Sequence, residues 1–142
     1  MLIGEIIPSE VKRILTTYKV IAVVGLSPKN DRPSYQVAQY LLSAGYTVIP
    51  VNPGQKLILG QTCYPDLSSI PVLVEVVDIF RRPADVLSVV DEAIQIGARV
   101  VWMQLGIINE QAARKASEAG LQVVMDRCMK IDHMHLNSVI SL

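Results

Sequence analysis

The sequence lacks long hydrophobic runs and a surplus of charge of either sign. Although 51% of the 142 residues are hydrophobic, the apolar runs last only about five to eight residues, far short of the roughly 18 needed to span a bilayer. Thirteen basic and thirteen acidic residues give a formal net charge of zero, so no overall field attracts nucleic acid or an anionic membrane. We therefore expect neither nucleic acid nor a membrane as a partner.

Cysteine is also scarce. Cys63 and Cys128 lie far apart in the chain and form no CxxC pair, so free thiols in a reducing cytoplasm are the default expectation. The opening segment MLIGEIIPSE has no basic region and carries acidic residues, unlike a signal peptide. We expect a cytoplasmic protein, and the surplus of apolar residues leaves room for a homodimer or a partner subunit.

No catalytic constellation and no metal site are predicted. Gly25-Leu26-Ser27 begins like the nucleophile elbow GxSxG, but Lys29 stands where the second glycine is required and no histidine is placed to complete a triad. His133 and His135 fall in the tail, and Cys128 has no cysteine partner with which to ligate a metal.

Strand-like and helix-like segments alternate along the chain. Five short runs are strand-like: VIAVVG (20–25), TVIPVNP (47–53), VEVVDIF (74–80), ARVVWMQL (98–105) and LQVVMD (121–126). Helical segments separate most of them, and Ser34 is the predicted N-cap of the helix over 34–45. This alternation predicts an α/β fold over residues 1–142, a single Rossmann-like domain with a doubly wound parallel sheet of about five strands in the order 3-2-1-4-5.

The turns that follow the strands are rich in basic residues. In a sheet of this kind they share the carboxyl edge, where ligands bind. Acids there are fewer, namely Asp31, Glu110 and Asp126. A neutral protein with a locally basic edge suits a small polyanion. Seven of the thirteen basic residues lie in these turns: Lys29, Arg32, Lys56, Arg81, Arg82, Arg127 and Lys130.

The turn after the first strand departs from the dinucleotide fingerprint. GxGxxG would need glycines at 27 and 30, where Ser27 and Asn30 stand. The second strand ends in Asn52-Pro53-Gly54, where NAD binding requires an acid. A nicotinamide-dinucleotide-binding redox regulator therefore remains only as an alternative.

A phosphate nevertheless fits this turn. Ser27 offers a hydroxyl and the following helix offers free N–H groups, while Arg32 and Ser34 are placed to close over the anion. Phe80 and Arg81, after the third strand, supply an aromatic face and a guanidinium group for a base or a phosphate.

Four segments in order resemble the small stand-alone CoA-binding proteins, which are similar to the CoA-binding N-terminal domain of the succinyl-CoA synthetase alpha subunit. They are VVGLSPKNDRPSYQVAQYLLSAGYTVIPVNP, VDIFRRP, VWMQLGIINEQA and VVMDRC, and the resemblance covers roughly residues 15 to 133. It implies coenzyme A at the carboxyl edge, with its pyrophosphate over residues 25–27 and its adenosine 3′-phosphate near Lys56. Gln104 is a candidate for the pantetheine amides, because a buried amide needs a partner. The predicted CoA-binding set is Gly25, Leu26, Ser27, Lys29, Arg32, Ser34, Asn52, Pro53, Lys56, Phe80, Arg81, Gln104 and Gly106.

The resemblance implies binding without a known reaction. In the synthetase the phosphorylated histidine lies in a second domain, which we do not expect in this chain. The leading hypothesis is a CoA or acyl-CoA carrier, sensor or regulatory module without catalysis of its own. The alternative from the enzyme class is the CoA-binding subunit of a split acyl-CoA synthetase.

Cys128 is the candidate redox thiol. It follows the fifth strand, so it emerges at the edge where CoA is expected, and Arg127 and Lys130 flank it. The hypothesis is a mixed disulfide between Cys128 and CoA under oxidising conditions. The alternative is a partly buried thiol that never meets the ligand.

Overall fold

The computed structural model describes residues 7–136. This part of the chain forms seven strands in chain order: β1 (Val20–Val24), β2 (Thr47–Val51), β3 (Leu57–Ile58), β4 (Gln61–Thr62), β5 (Val76–Ile79), β6 (Val100–Met103) and β7 (Gln122–Met125). β3 and β4 form a small antiparallel hairpin, whereas the other five strands make one parallel sheet. The predicted α/β fold with a five-stranded parallel sheet is confirmed.

Helices cover both faces of the sheet. They are α1 (Ser9–Thr17), α2 (Pro33–Ser43), α3 (Val86–Gln95), α4 (Glu110–Glu118) and α5 (Met129–Met134), with a 3-10 turn at Pro83–Asp85 before α3. The side chains of α1, α2 and α5 share one buried cluster, and those of α3 and α4 share the other. Every strand of the parallel sheet contributes side chains to both clusters. Because both faces of the sheet are therefore buried, its strands are β-branched runs in which polar residues do not alternate. Over residues 7–136 no helix is long and apolar enough to cross a membrane.

The strand order differs from the prediction. The sheet runs β2-β1-β5-β6-β7, so the third long strand, β5, pairs with β1 on the side away from β2 rather than beyond β2. The predicted order 3-2-1-4-5 is therefore wrong. Within residues 7–136 the only pairing beyond β2 is a single parallel bridge between Val51 and Tyr64. Pro50 lacks an N–H, and Pro65 interrupts further pairing.

This order fixes where a ligand crevice opens. The chain passes from β1 to β2 on one side and from β5 to β6 on the other, so the order of the parallel strands reverses between β1 and β5. In open parallel sheets the crevice for ligands lies at the carboxyl ends of such a strand pair. The turns after β1 and β5 are therefore the two that face each other across it.

The start of α2 also differs from the prediction. The helix begins at Pro33, with Arg32 as the N-cap residue in an extended conformation and without a side-chain cap. Proline at the first helical position loses no helical hydrogen bond, since that N–H would have no partner. Ser34 therefore lies inside the first turn and is not the N-cap, which leaves its hydroxyl free for the turn after β1.

Candidate functional site

A cleft of about 310 Å³ opens at the carboxyl edge between the turns after β1 and β5. We call it the arginine cleft. It brings together six of the thirteen predicted residues, from two segments far apart in the sequence. Its lining residues are Gly25, Ser27, Arg32, Pro33, Ser34, Phe80, Arg81, Arg82 and Ile107.

Gly25 shapes the floor of the arginine cleft. Its φ is +86°, a conformation that residues with a side chain rarely adopt, and its N–H donates to the Val51 carbonyl at 2.9 Å. A Cβ at this position would overlap the carbonyl oxygen of Phe80 and come within 3.2 Å of Arg81 Cδ. Glycine therefore lets the two turns approach closely enough to form one site.

The serine hydroxyls of the cleft hold the turn in place. The Ser27 N–H donates to Ser34 Oγ at 3.0 Å, and the Lys29 N–H donates to Ser27 Oγ at 3.1 Å. Both hydroxyl oxygens thus accept a backbone hydrogen bond, which leaves each O–H as a donor. An anion in the cleft would meet these donors in a preformed arrangement.

The electrostatics of the cleft favour a polyanion. Arg32, Arg81 and Arg82 line it, and no acidic residue does. Within residues 7–136 neither Arg32 nor Arg81 forms an ion pair, whereas Arg82 Nε donates to Asp85 Oδ2 at 3.0 Å. The positive end of the α2 dipole and its free first-turn N–H groups lie at the same place. The site therefore has two uncommitted guanidinium groups beside a helix N-terminus.

Leu26 and the residues predicted at the end of β2 do not line the arginine cleft. Leu26 is fully buried, and its carbonyl accepts a hydrogen bond from Asn52 Nδ2 at 2.9 Å, so both shape the turn. Pro53 lines a neighbouring pocket of about 240 Å³ that shares Arg81 with the arginine cleft. Lys56 is exposed and lines neither cavity.

The residues predicted at the end of β6 have structural partners. Gln104 is 3% exposed, and its Oε1 accepts a hydrogen bond from the Met129 N–H at 3.0 Å, which ties β6 to α5. Gly106 has a φ of +85° and donates its N–H to Asp126 Oδ1 at 2.7 Å. One residue further, Ile107 lines the arginine cleft, although the sequence analysis did not single it out.

Cys128 lines a second pocket of about 210 Å³ at the same edge, together with Leu105, Asp126, Arg127, Ile131 and Asp132. The thiol is half-buried. Arg127 donates to Asp132 from Nε at 2.7 Å and from Nη2 at 2.9 Å, and Lys130 Nζ lies 5.8 Å from the centroid of the Tyr40 ring. Both flanking cations thus have partners other than the thiol.

His133 is part of the packing of α5 against α2. Its Nδ1 lies 2.6 Å from the Tyr40 hydroxyl, and its ring meets those of Tyr40 and Tyr46 edge-on. Burial and then the nearby Lys19 lower the pKa of His133. Among residues 7–136 no group of three or more His, Cys, Asp or Glu side chains could hold a metal ion.

Asp78 is a buried acid that the sequence analysis did not identify. It lies on β5 between Val23 of β1 and Trp102 of β6, two residues before Phe80. It is fully buried, and neither carboxyl oxygen has a hydrogen-bond partner within residues 7–136. Burial raises the pKa of this carboxyl well above its ordinary value. The available signal was a single acid in the otherwise apolar run VVDIF.

The raised pKa of Asp78 predicts a pH-dependent loss of stability. The unfolded chain releases this proton near pH 4, whereas the folded chain retains it, so the contribution of Asp78 to stability falls as pH rises above about 4. Asp78→Asn should therefore be more stable than the wild type at pH 7, with a difference that shrinks toward pH 4. Urea unfolding across this range measures it. A difference that does not vary with pH would contradict the buried neutral acid, and Asp31→Asn, at an exposed acid, serves as the control.

Residues 19–134, which include every turn that lines the arginine cleft, match the profile of a protein family described as CoA binding domain. The chain belongs to the CoA-binding domain family. The predicted resemblance to stand-alone CoA-binding proteins is thereby confirmed at the level of the family.

Three relatives place this CoA-binding domain among both short and long proteins. The protein YneT of Bacillus subtilis is 40% identical over 125 residues, which are 88% of this chain and 93% of YneT. A solved structure of a protein from Pyrococcus horikoshii is 44% identical, with a TM-score of 0.88 over 94% of this chain and 99% of that one. An ADP-forming acetate–CoA ligase of Archaeoglobus fulgidus is 26% identical over 78% of this chain, which spans 18% of the ligase.

Proposed function

We propose that the protein is a cytoplasmic CoA-binding protein that holds CoA or an acyl-CoA as a carrier, sensor or regulatory module. The observation that carries this proposal is the arginine cleft itself. In a chain of the CoA-binding domain family, the cleft has three arginines and no acid in its lining and lies beside the N-terminus of α2.

The pyrophosphate is the group that we assign to the arginine cleft. Arg32 and Arg81 would donate to its oxygens, since guanidinium groups match phosphate geometry with two parallel hydrogen bonds. The hydroxyls of Ser27 and Ser34 would add further donors from the turn after β1. The half-buried ring of Phe80 offers a face for the adenine base.

A second candidate function is that of a CoA-binding subunit of a split acyl-CoA synthetase. The acetate–CoA ligase of A. fulgidus supports this candidate, because its similarity to this chain covers only 18% of the ligase. A separate chain would then supply the rest of the catalytic machinery. Purification from the native source with an ATP-dependent ligase chain would favour it, and isolation without such a chain would favour the carrier or sensor.

Thermal unfolding in the presence of CoA and of NAD tests the main proposal. A ligand that binds only the folded state stabilises it by about 2.7 kcal/mol at 100 times its dissociation constant. CoA should raise the melting temperature accordingly and NAD should not, because Ser27 and Asn52 replace the glycine and the acid of a NAD site. Equal shifts with both ligands would favour the nicotinamide-binding alternative.

Lys56 is the residue that we assign to the 3′-phosphate. Lys56 is exposed and lies three residues after Pro53, which lines the pocket that shares Arg81 with the arginine cleft. A hydrogen bond to a charged group contributes about 1.5–3 kcal/mol, so dephospho-CoA should bind about tenfold or more weakly than CoA. Lys56→Ala should bind the two ligands equally. Calorimetric titration measures both affinities, and a preference for CoA that persists in this variant would place the 3′-phosphate elsewhere.

Cys128 is proposed as a site of reversible modification by CoA disulfide. The Cys128 thiolate would attack one sulfur of the disulfide, forming a mixed disulfide and releasing one CoA thiolate. Intact-mass measurement should then find one CoA adduct, absent in Cys128→Ser and retained in Cys63→Ser, because Cys63 is only 7% exposed. An adduct that disappears only in Cys63→Ser would make Cys128 a structural thiol.

A further inference from the structure

The second pocket lies next to the arginine cleft. Leu105 lines the second pocket and Ile107 lines the arginine cleft. Two residues span at most about 7 Å of extended chain, so a narrow ridge of the loop after β6 separates the two cavities. A ligand that extends from one cavity along the carboxyl edge would reach the other.

The two cavities differ in charge. The arginine cleft is lined by three arginines and no acid. In the second pocket the guanidinium of Arg127 is paired with the carboxylate of Asp132, which is 2% exposed. Asp126 remains as a further acid, and its Oδ1 accepts the Gly106 N–H. This balance opposes a second phosphate or any other anion in the second pocket.

Apolar side chains provide the remaining contact surface. Leu105 is 62% exposed and Ile131 is 40% exposed, and they lie on different elements that flank the half-buried Cys128. Large aliphatic side chains left exposed around a concavity favour an apolar occupant, because each methylene removed from water stabilises the complex. With a volume of about 210 Å³, the second pocket has room for a short aliphatic chain.

We propose that the second pocket receives the acyl group of an acyl-CoA whose phosphates lie in the arginine cleft. This inference rests on the proposed function and specifies its ligand as a short, uncharged acyl-CoA rather than free CoA. The pantetheine arm would cross the ridge between Ile107 and Leu105. Asp126 would disfavour acyl groups that end in a carboxylate.

The test compares the dissociation constants of CoA, acetyl-CoA, butyryl-CoA, hexanoyl-CoA and succinyl-CoA, measured by calorimetry on the full chain. Each methylene that becomes buried should strengthen binding by about fourfold. We expect butyryl-CoA to bind about tenfold or more tightly than CoA. Succinyl-CoA should bind no more tightly than CoA. If CoA binds but lengthening the acyl chain has no effect, the acyl pocket is wrong and the proposed function stands. If none of the five binds, both are wrong.

Substitutions then locate the acyl group. Leu105→Ser and Ile131→Ser should bring the ratio of the CoA and hexanoyl-CoA dissociation constants close to one. Leu73→Ser is the matched control, since Leu73 is 61% exposed but precedes β5 at the opposite edge of the sheet. Arg32→Ala should weaken the binding of all five ligands but leave the ratio of the CoA and hexanoyl-CoA dissociation constants unchanged. A ratio that is unchanged in both pocket variants would overturn the proposal.

Discussion

Replacing both Arg32 and Arg81 by alanine is expected to weaken CoA binding by about a hundredfold or more. The two side chains line opposite sides of the arginine cleft and have no ion-pair partner within residues 7–136. Each charge-assisted hydrogen bond to a phosphate contributes about 1.5–3 kcal/mol, which corresponds to at least about tenfold per side chain. Calorimetric titration of the double variant with CoA measures the loss.

Two other arginines serve as controls for this experiment. Arg99→Ala removes one positive charge, as each cleft substitution does, but at the amino end of β6, on the opposite edge of the sheet, and should leave affinity almost unchanged. Arg82→Ala should weaken CoA binding less than the double variant does, because Arg82 is already paired with Asp85 and its side chain is 84% exposed. If the Arg99 variant loses as much affinity as the double variant, the effect is one of overall charge and the cleft assignment is wrong.

Gly25→Ala is expected to lower the free energy of unfolding by about 3 kcal/mol or more, the sum of a left-handed backbone and overpacking. The φ of +86° is unfavourable for alanine, and the added Cβ would overlap the carbonyl oxygen of Phe80. For a domain of this length such a loss lowers the melting temperature by about 10 °C. Thermal and urea unfolding of the purified variant measure it.

Gly97→Ala separates the two causes. Gly97 also has a positive φ, +76°, but nothing lies within 4 Å of its Cβ position. Gly97→Ala should lower the free energy of unfolding only by the cost of the left-handed backbone conformation, about 1–2 kcal/mol. Equal losses at Gly25 and Gly97 would mean that the close approach between the turns after β1 and β5 relaxes without cost.

The sequence predicted the part of the candidate site that consists of polar residues directly after strands. Ser27, Arg32 and Arg81 follow strand-like runs, and parallel strands bring their carboxyl ends to one edge whatever their order. Gln104 shows the limit of this reasoning. It also follows a strand, but only the position of α5 determines that its side chain accepts the Met129 N–H.

The strand order was not predictable from local patterns. The run 74–80 is equally suited to a position beside β1 or beyond β2, and in the structure the position beyond β2 is held by the segment around Tyr64, which forms a single bridge to β2. That segment is too short and too interrupted by turns to be recognised as an element. Placement of β5 beside β1 is nevertheless what brings the turn after β5 to Gly25.

The sequence by itself determined the α/β class, the five parallel strands and the basic character of the carboxyl edge, because these depend on local hydrophobic runs and on residues directly after them. The tertiary structure alone decided which turns meet. It joined Arg32 to Arg81 in one cleft and left Lys56 outside it. It also buried the carboxyl group of Asp78 with no hydrogen-bond partner among residues 7–136. These outcomes depend on strand order and on the packing of helices against the sheet, and such long-range contacts leave no periodic pattern in the sequence.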